Sequence, residues 1–251
     1  AYSATKLMDG QGRVLAGAVC GSKEWIDEVL LPFQRNTGPN IAPFNAWVVL
    51  KGLETLSLRA ERQSANAVAL GEAIEGRRLE MRHPGLPSHP RHDLAKRQMT
   101  ATGPVFAFDV GSRETAFAVL DALELIDLSN NIGDSRSLMC HPASTTHAGM
   151  TAEARAEMGV SEGLLRINVG LEDVADLIED LDRALELVER FLEQAGGLVG
   201  CPNIIVYFRV VGVALERVQR RPHEHLERHR RAYGVAGETE HERARRGPPE
   251  A

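Results

Sequence analysis

From residue 13 to residue 192, short runs with strand character alternate with longer runs of helical periodicity, and this alternation confines the chain to an α/β or α+β build. Arg13–Cys20 (RVLAGAVC) is short, rich in small and β-branched residues and bounded by glycines, so it reads as a buried strand. Pro43–Gly76 reads as a long helical region. Trp47, Leu50, Leu53, Leu56 and Leu58 supply its apolar positions and alanines continue to Ala73, with Gly52 and Gly71 as weak points. A loop rich in Pro and His follows, Arg82–Asp93. Val105–Val110 (VFAFDV) alternates as a half-buried strand does, and Arg113–Leu125 has amphipathic helical spacing. A second strand and helix come next, Leu164–Val169 (LLRINV) and Glu172–Leu192. The acids Glu172, Asp173 and Asp176 complement the positive end of that helix dipole.

Composition narrows the function classes. With 251 residues, 43% of them hydrophobic, the chain can bury one large core or two modest ones. A net charge of -6 gives no global reason for nucleic acid or an anionic membrane as partner. Cys20, Cys140 and Cys201 are odd in number and widely spaced, matching neither a disulfide framework nor a metal-binding spacing. They read as packing thiols in a reducing cytosol, so the expected localisation is cytoplasmic. The chain opens Ala-Tyr-Ser-Ala-Thr-Lys, with no start methionine and no basic segment leading into an apolar one, and so reads as beginning inside a longer protein. Leu198–Leu215, the most apolar window, is interrupted by Pro202, Asn203 and Arg209, which argues against a membrane span. Composition breaks at Gly196-Gly197, and from Gly200 onward there are ten Arg, seven Glu, four His and no Lys. The tail, residues 194–251, reads as a disordered extension or the product of a shifted reading frame; a basic interaction arm is the alternative.

The informative chemistry lies at the start. Ser3-Ala4-Thr5-Lys6 sets two hydroxyls shortly before a lysine, in a loop feeding the strand at Arg13. Hydroxyls and backbone N–H groups in a tight turn suit a phosphate, and a lysine beside them can condense with an aldehyde. Taken alone, the same four residues also describe a solvated surface lysine. The wider sequence changes the balance through four segments: SATKLMDGQGRVLAGAV, NTGPNIAPFNAWVVLKGLETLSLR, NNIGDSRSLMCHPASTTH and LLRINVGLEDVADLIEDL. In this order, from Tyr2 to about Leu187, they resemble the Cys/Met metabolism (transsulfuration) family of enzymes that use pyridoxal 5'-phosphate (PLP).

The resemblance implies a site. Lys6 matches the lysine that holds PLP and moves protons between substrate carbons, and Ser3 and Thr5 match hydroxyls that bind the cofactor phosphate. Arg166 matches the arginine that grips the substrate α-carboxylate, a task suited to a planar two-pronged guanidinium. Ser137 matches a serine beside that carboxylate and the lysine. The plainer alternatives are an outward-pointing strand arginine for Arg166 and a turn cap for Ser137. His141 and His147 read as structural hydrogen-bonders, and Gly10, Gly12 and Gly17 as residues of tight turns.

The implied architecture is α/β: part of an aspartate-aminotransferase-like (fold type I) large domain, residues 1–55, then a smaller α+β C-terminal domain, residues 56–193. That smaller domain is expected to be an antiparallel sheet covered by helices and entered through the long helix. The segment NNIGDSRSLMCHPASTTH is most similar to the homoserine-ester sulfhydrylases. It implies γ-replacement, in which O-succinylhomoserine or O-acetylhomoserine and sulfide give homocysteine for methionine biosynthesis. Cystathionine γ-synthase, cystathionine or methionine γ-lyase chemistry, or a non-catalytic fragment, are the alternatives. Members of the family form tetramers, and they carry about as much chain again before the lysine, including the aspartate that pairs with the cofactor ring nitrogen. This chain alone is therefore expected to be a poor catalyst, with apolar surface exposed where its neighbours are missing.

Overall fold

The computed structural model describes residues 1–77 and 79–196. Two units divide the chain, and the first, Ala1–Glu193, is compact. The expectations for the Arg-rich tail, Cys201 and the apolar window from Leu198 fall outside the described residues. Along the first unit the elements are β1 (Tyr2–Ser3), β2 (Gly17–Ala18), α1 (Lys23–Trp25), α2 (Leu31–Thr37), α3 (Pro43–Leu53), α4 (Leu56–Glu75), β3 (Glu80–Arg82), α5 (His92–Gln98), β4 (Val105–Asp109), α6 (Arg113–Ala122), β5 (Asp127–Leu128), β6 (Leu138–Cys140), α7 (Ala152–Glu157), β7 (Leu164–Asn168) and α8 (Val174–Gly196).

Five strands make the main sheet in the order β3-β4-β7-β6-β5. Every pair is antiparallel except β5 with β6, so the sheet is mixed rather than antiparallel throughout. Alternation along β4 and β7 sorts side chains to two faces, and on one face Phe106 stands opposite Ile167 and Phe108 opposite Leu165. Met139 of β6 joins them across from Ile167. Over this apolar face lie Leu70 and Ile74 of α4, Val119 and Leu120 of α6, and Leu177, Leu181, Ala184 and Val188 of α8. The α8 set recurs at intervals of three and four residues, the stripe a helix needs to cover a sheet. The opposite face carries Arg166 and Asn168 of β7, two residues apart and therefore on the same side.

Local signals explain the helix ends. The Ser112 hydroxyl accepts from the Thr115 N–H at 3.1 Å and starts α6, and Thr151 does the same for α7 through Ala154 N–H at 3.3 Å. Pro43 opens α3, and Gly38 closes α2 at φ 76°. Asp173 accepts from Ala175 N–H at 2.9 Å and starts α8, whereas Glu172 turns away to Ser137.

Several expectations are corrected. Arg13–Cys20 is not a buried strand: only Gly17–Ala18 pair, antiparallel to Tyr2–Ser3, and Leu15 is 88% exposed. A β-like composition predicts burial only when neighbouring strands are there to cover it, and a two-stranded ribbon has none. Pro43–Gly76 is two helices, broken at Glu54 and Thr55, where the buried Arg59 guanidinium donates to Gly52 O at 2.7 Å and to Thr55 Oγ1 at 3.1 Å and so satisfies the end of the first helix. The Pro/His loop begins on the edge strand β3 and is cut short by α5 at His92. Leu123 leaves α6 in extended conformation, which ends that helix before Leu125. Cys140 is buried as a packing thiol, but Cys20 is exposed.

Candidate active site

The segment that carries Lys6 is held in place by its own backbone. Ala4 and Thr5 N–H groups both donate to Ala16 O, at 2.9 and 3.2 Å, and Ala4–Met8 then forms one wide helical turn interrupted at Lys6 (φ -90°, ψ -123°). Thr5 uses its hydroxyl to close this turn, accepting from Ala16 N–H at 2.9 Å and lying 3.3 Å from Ala16 O. Ser3 is exposed, and its hydroxyl caps none of the turn's N–H groups. Beyond the lysine, the buried Asp9 carboxylate accepts from Arg13 N–H at 2.5 Å and Arg13 Nε at 2.8 Å. Gly10 at φ 74° lets the chain reverse against Arg59; a Cβ there would sit 2.1 Å from its Nη1. Arg59 donates to Leu7 O at 2.8 Å and so clamps the turn from α4. Burial pushes the Arg59 pKa down, Arg13 adds to this, and Asp9 opposes it.

A second segment, residues 129–137, lies against this turn. Gly133, at φ 77°, comes so close that a Cβ would lie 2.5 Å from Leu7 N, and Ser135 N–H donates to Gly10 O at 2.8 Å. The contact delivers two adjacent asparagines. Lys6 Nζ donates to Asn131 Oδ1 at 2.5 Å, and Arg166 Nη2 donates to the Asn130 carbonyl at 2.7 Å. The amine from the start of the chain and the guanidinium from β7 are thus bonded to the two halves of one dipeptide.

Ser137 is placed differently. It is fully buried; its N–H and hydroxyl donate to the Glu172 carboxylate at 2.7 and 2.9 Å, and its oxygen accepts from Gly170 N–H at 2.8 Å. One acceptor lone pair remains on that hydroxyl. His141 is buried between Ser144 Oγ and Glu162 O, both at 2.9 Å, in the structural role expected of it. His147 meets Thr146 Oγ1 at 2.8 Å.

Sequence reasoning missed the residues that join the predicted ones. Asn130, Asn131, Asn168 and Arg59 lay inside quoted motifs without being singled out, and Gln63 gave no signal beyond being polar in a helix. Gln63 Nε2 donates to Asp134 O at 2.6 Å and Val169 O at 3.0 Å, tying α4 to the 129–137 segment and to the end of β7. Among the described residues no group of three or more His, Cys, Asp or Glu is arranged to hold a metal, and no helix is long and apolar enough to cross a membrane.

Known proteins share this arrangement of elements. The solved cystathionine gamma synthase of Xanthomonas oryzae pv. oryzae, in complex with aminoacrylate and cysteine, superposes with a TM-score of 0.71 at 38% identity, covering 75% of this chain and 49% of that one. An O-succinylhomoserine sulfhydrylase of Mycobacterium tuberculosis is 51% identical over 191 residues, which are 73% of this chain and 47% of the relative. An L-methionine gamma-lyase of Porphyromonas gingivalis is 41% identical over 189 residues, 74% of this chain and 47% of the relative. The chain therefore spans about half the length of the curated relatives it matches. Residues 1–186 match one enzyme family throughout, and with its α/β, fold type I architecture the chain belongs to the Cys/Met metabolism PLP-dependent enzymes.

Proposed function

We propose that this chain carries the lysine and the carboxylate-binding arginine of an enzyme that makes homocysteine from O-succinylhomoserine, or O-acetylhomoserine, and sulfide in the cytoplasm. The observation that carries the reading is the pairing of Lys6 with the Asn131 side-chain oxygen and of Arg166 with the Asn130 carbonyl, which brings an amine and a guanidinium to two adjacent residues. Identity supports the branch, at 51% to a sulfhydrylase against 41% to a methionine gamma-lyase.

The residues present fit PLP in their chemistry. Lys6 is a primary amine for an aldehyde, and the exposed Ser3 hydroxyl is free to meet a phosphate, while Thr5 shapes the turn between them. Bound PLP supplies a sink for the electrons released when a proton leaves Cα of the amino acid. In its neutral form the Lys6 amine would take that proton, and only after giving it up could the same amine take one from Cβ; Asn131 Oδ1 is placed to hold the amine. Arg166 keeps its fork near the Asn130 carbonyl and grips the α-carboxylate, so that the Cα–H bond is presented to Lys6. Ser137 supports the carboxylate site through the backbone it pins rather than through a free hydroxyl proton.

Two measurements test this. Incubation with PLP, borohydride reduction and peptide mass spectrometry should place the phosphopyridoxyl group on Lys6, and a label on another lysine would overturn the assignment. Product analysis of the active enzyme that contains this sequence should find homocysteine from the succinyl or acetyl ester with sulfide, lost by about 1,000-fold in Lys6→Ala. Release of 2-oxobutyrate and ammonia instead would place the protein with the lyases, cystathionine from added cysteine with the synthases, and no turnover with a non-catalytic fragment.

A further inference from the structure

We propose that Asn168 is the positioning residue that sets the spacing between the Lys6 amine and the Arg166 guanidinium, by bracketing the segment that bonds to both. This rests on the reading of those two groups as one site, and it assigns the task to a residue that touches neither. Asn168 is 1% exposed on β7, on the same face as Arg166. Its Oδ1 accepts from Gly133 N–H at 2.7 Å, and its Nδ2 faces Asp134 O and Arg136 O, each at 3.3 Å. One amide thus grips three backbone groups of residues 133–136.

The consequence runs outward from that grip. Gly133 is the residue pressed against the Lys6 backbone, and two positions earlier Asn131 takes the lysine amine. One residue earlier again, Asn130 offers its carbonyl to Arg166, which leaves β7 two residues before Asn168. The arginine and the bracket share one rigid strand, so the distance from guanidinium to amine is set by how Asn168 seats the segment. An apolar side chain would take the Asn168 partner from the Gly133 N–H and the Arg136 carbonyl, while the Asp134 carbonyl would keep only Gln63 Nε2 at 2.6 Å, so the position demands an amide that both donates and accepts.

The test reads the lysine directly and needs neither cofactor nor substrate. In the full chain, the rate at which acetic anhydride modifies Lys6 is followed by mass spectrometry for wild type, Asn131→Ala, Asn168→Ala and the double variant, with the exposed Lys23 as internal standard. Each single variant should raise Lys6 modification relative to Lys23 by about fivefold, the release expected from one ordinary hydrogen bond. The double variant should show no more than either single, because both act through Asn131. Equal rates in Asn168→Ala and wild type, or an additive double variant, would overturn the inference. If Asn168→Ala fails to fold, amide exchange in wild type decides: a slow Gly133 N–H upholds the bracket and an unprotected one removes it. A failure here leaves homocysteine formation standing, whereas a PLP label away from Lys6 sinks the site and leaves these exchange data intact.

Discussion

At the scale of single residues, the site depends on groups whose chemistry has no close substitute. Arg166 is one. Lysine in its place keeps the charge but loses the planar fork, so Arg166→Lys in the active enzyme should raise KM for the homoserine ester by about tenfold or more with a smaller change in kcat. Steady-state kinetics on wild type and Arg166→Lys checks this, and an unchanged KM would remove the arginine from the carboxylate site. His83 gives a different kind of prediction. It is fully buried, its Nδ1 accepts from Gly85 N–H at 3.1 Å and its Nε2 lies 3.3 Å from Gly103 O, an arrangement that needs the neutral ring. Burial pushes its pKa down from the ordinary 6.5, and His89 pushes the same way, while the bond to Gly103 O opposes both. The unfolded chain therefore binds a proton below about pH 6.5 that the folded chain resists, so stability should fall as pH drops through that value. Denaturant midpoints between about pH 7.5 and about pH 5 measure the effect, and His83→Gln should flatten the slope over the same range.

At the scale of elements, the sheet and its helical cover were legible wherever periodicity met a dry face. Val105–Asp109 and Leu164–Asn168 fall within a residue of their expected spans because burial alternates along the first as its sequence does, and the second is a short apolar run buried at all positions but Arg166. The short elements were not legible: β6 has three residues and α7 six, too few for a period to show, and each is held by its neighbours. This ranking of causes can be measured. Phe108→Ala empties a fully buried site opposite Leu165 and should cost about 3–5 kcal/mol, whereas Ser112→Ala removes one cap from α6 and should cost about 1 kcal/mol. Chemical denaturation of both variants gives the comparison, and equal losses would mean that local capping matters here as much as core burial.

At the scale of the whole molecule, apolar exposure is uneven. Tyr2, Leu15, Phe33, Phe44, Trp47, Leu50 and Leu58 are all exposed within the first 58 residues, and the Phe44 and Trp47 rings lie 5.9 Å apart on one turn of α3. A surface of that kind favours association, so light scattering from the 251-residue chain should rise with concentration. Replacing both rings, Phe44→Ser with Trp47→Ser, should reduce the scattering with little loss of unfolding midpoint; a monodisperse monomer at every concentration would contradict this. The family, the long strand–helix pairs around β4 and β7, and Lys6 and Arg166 as groups to watch were legible in the sequence alone, because periodicity and motif are properties of neighbouring residues. Only the tertiary structure decided which polar groups stand between them. Asn131 meets the Lys6 amine across 125 positions, Asn130 meets Arg166 across 36 and Asn168 meets Gly133 across 35, and contacts over such separations leave no period in a sequence.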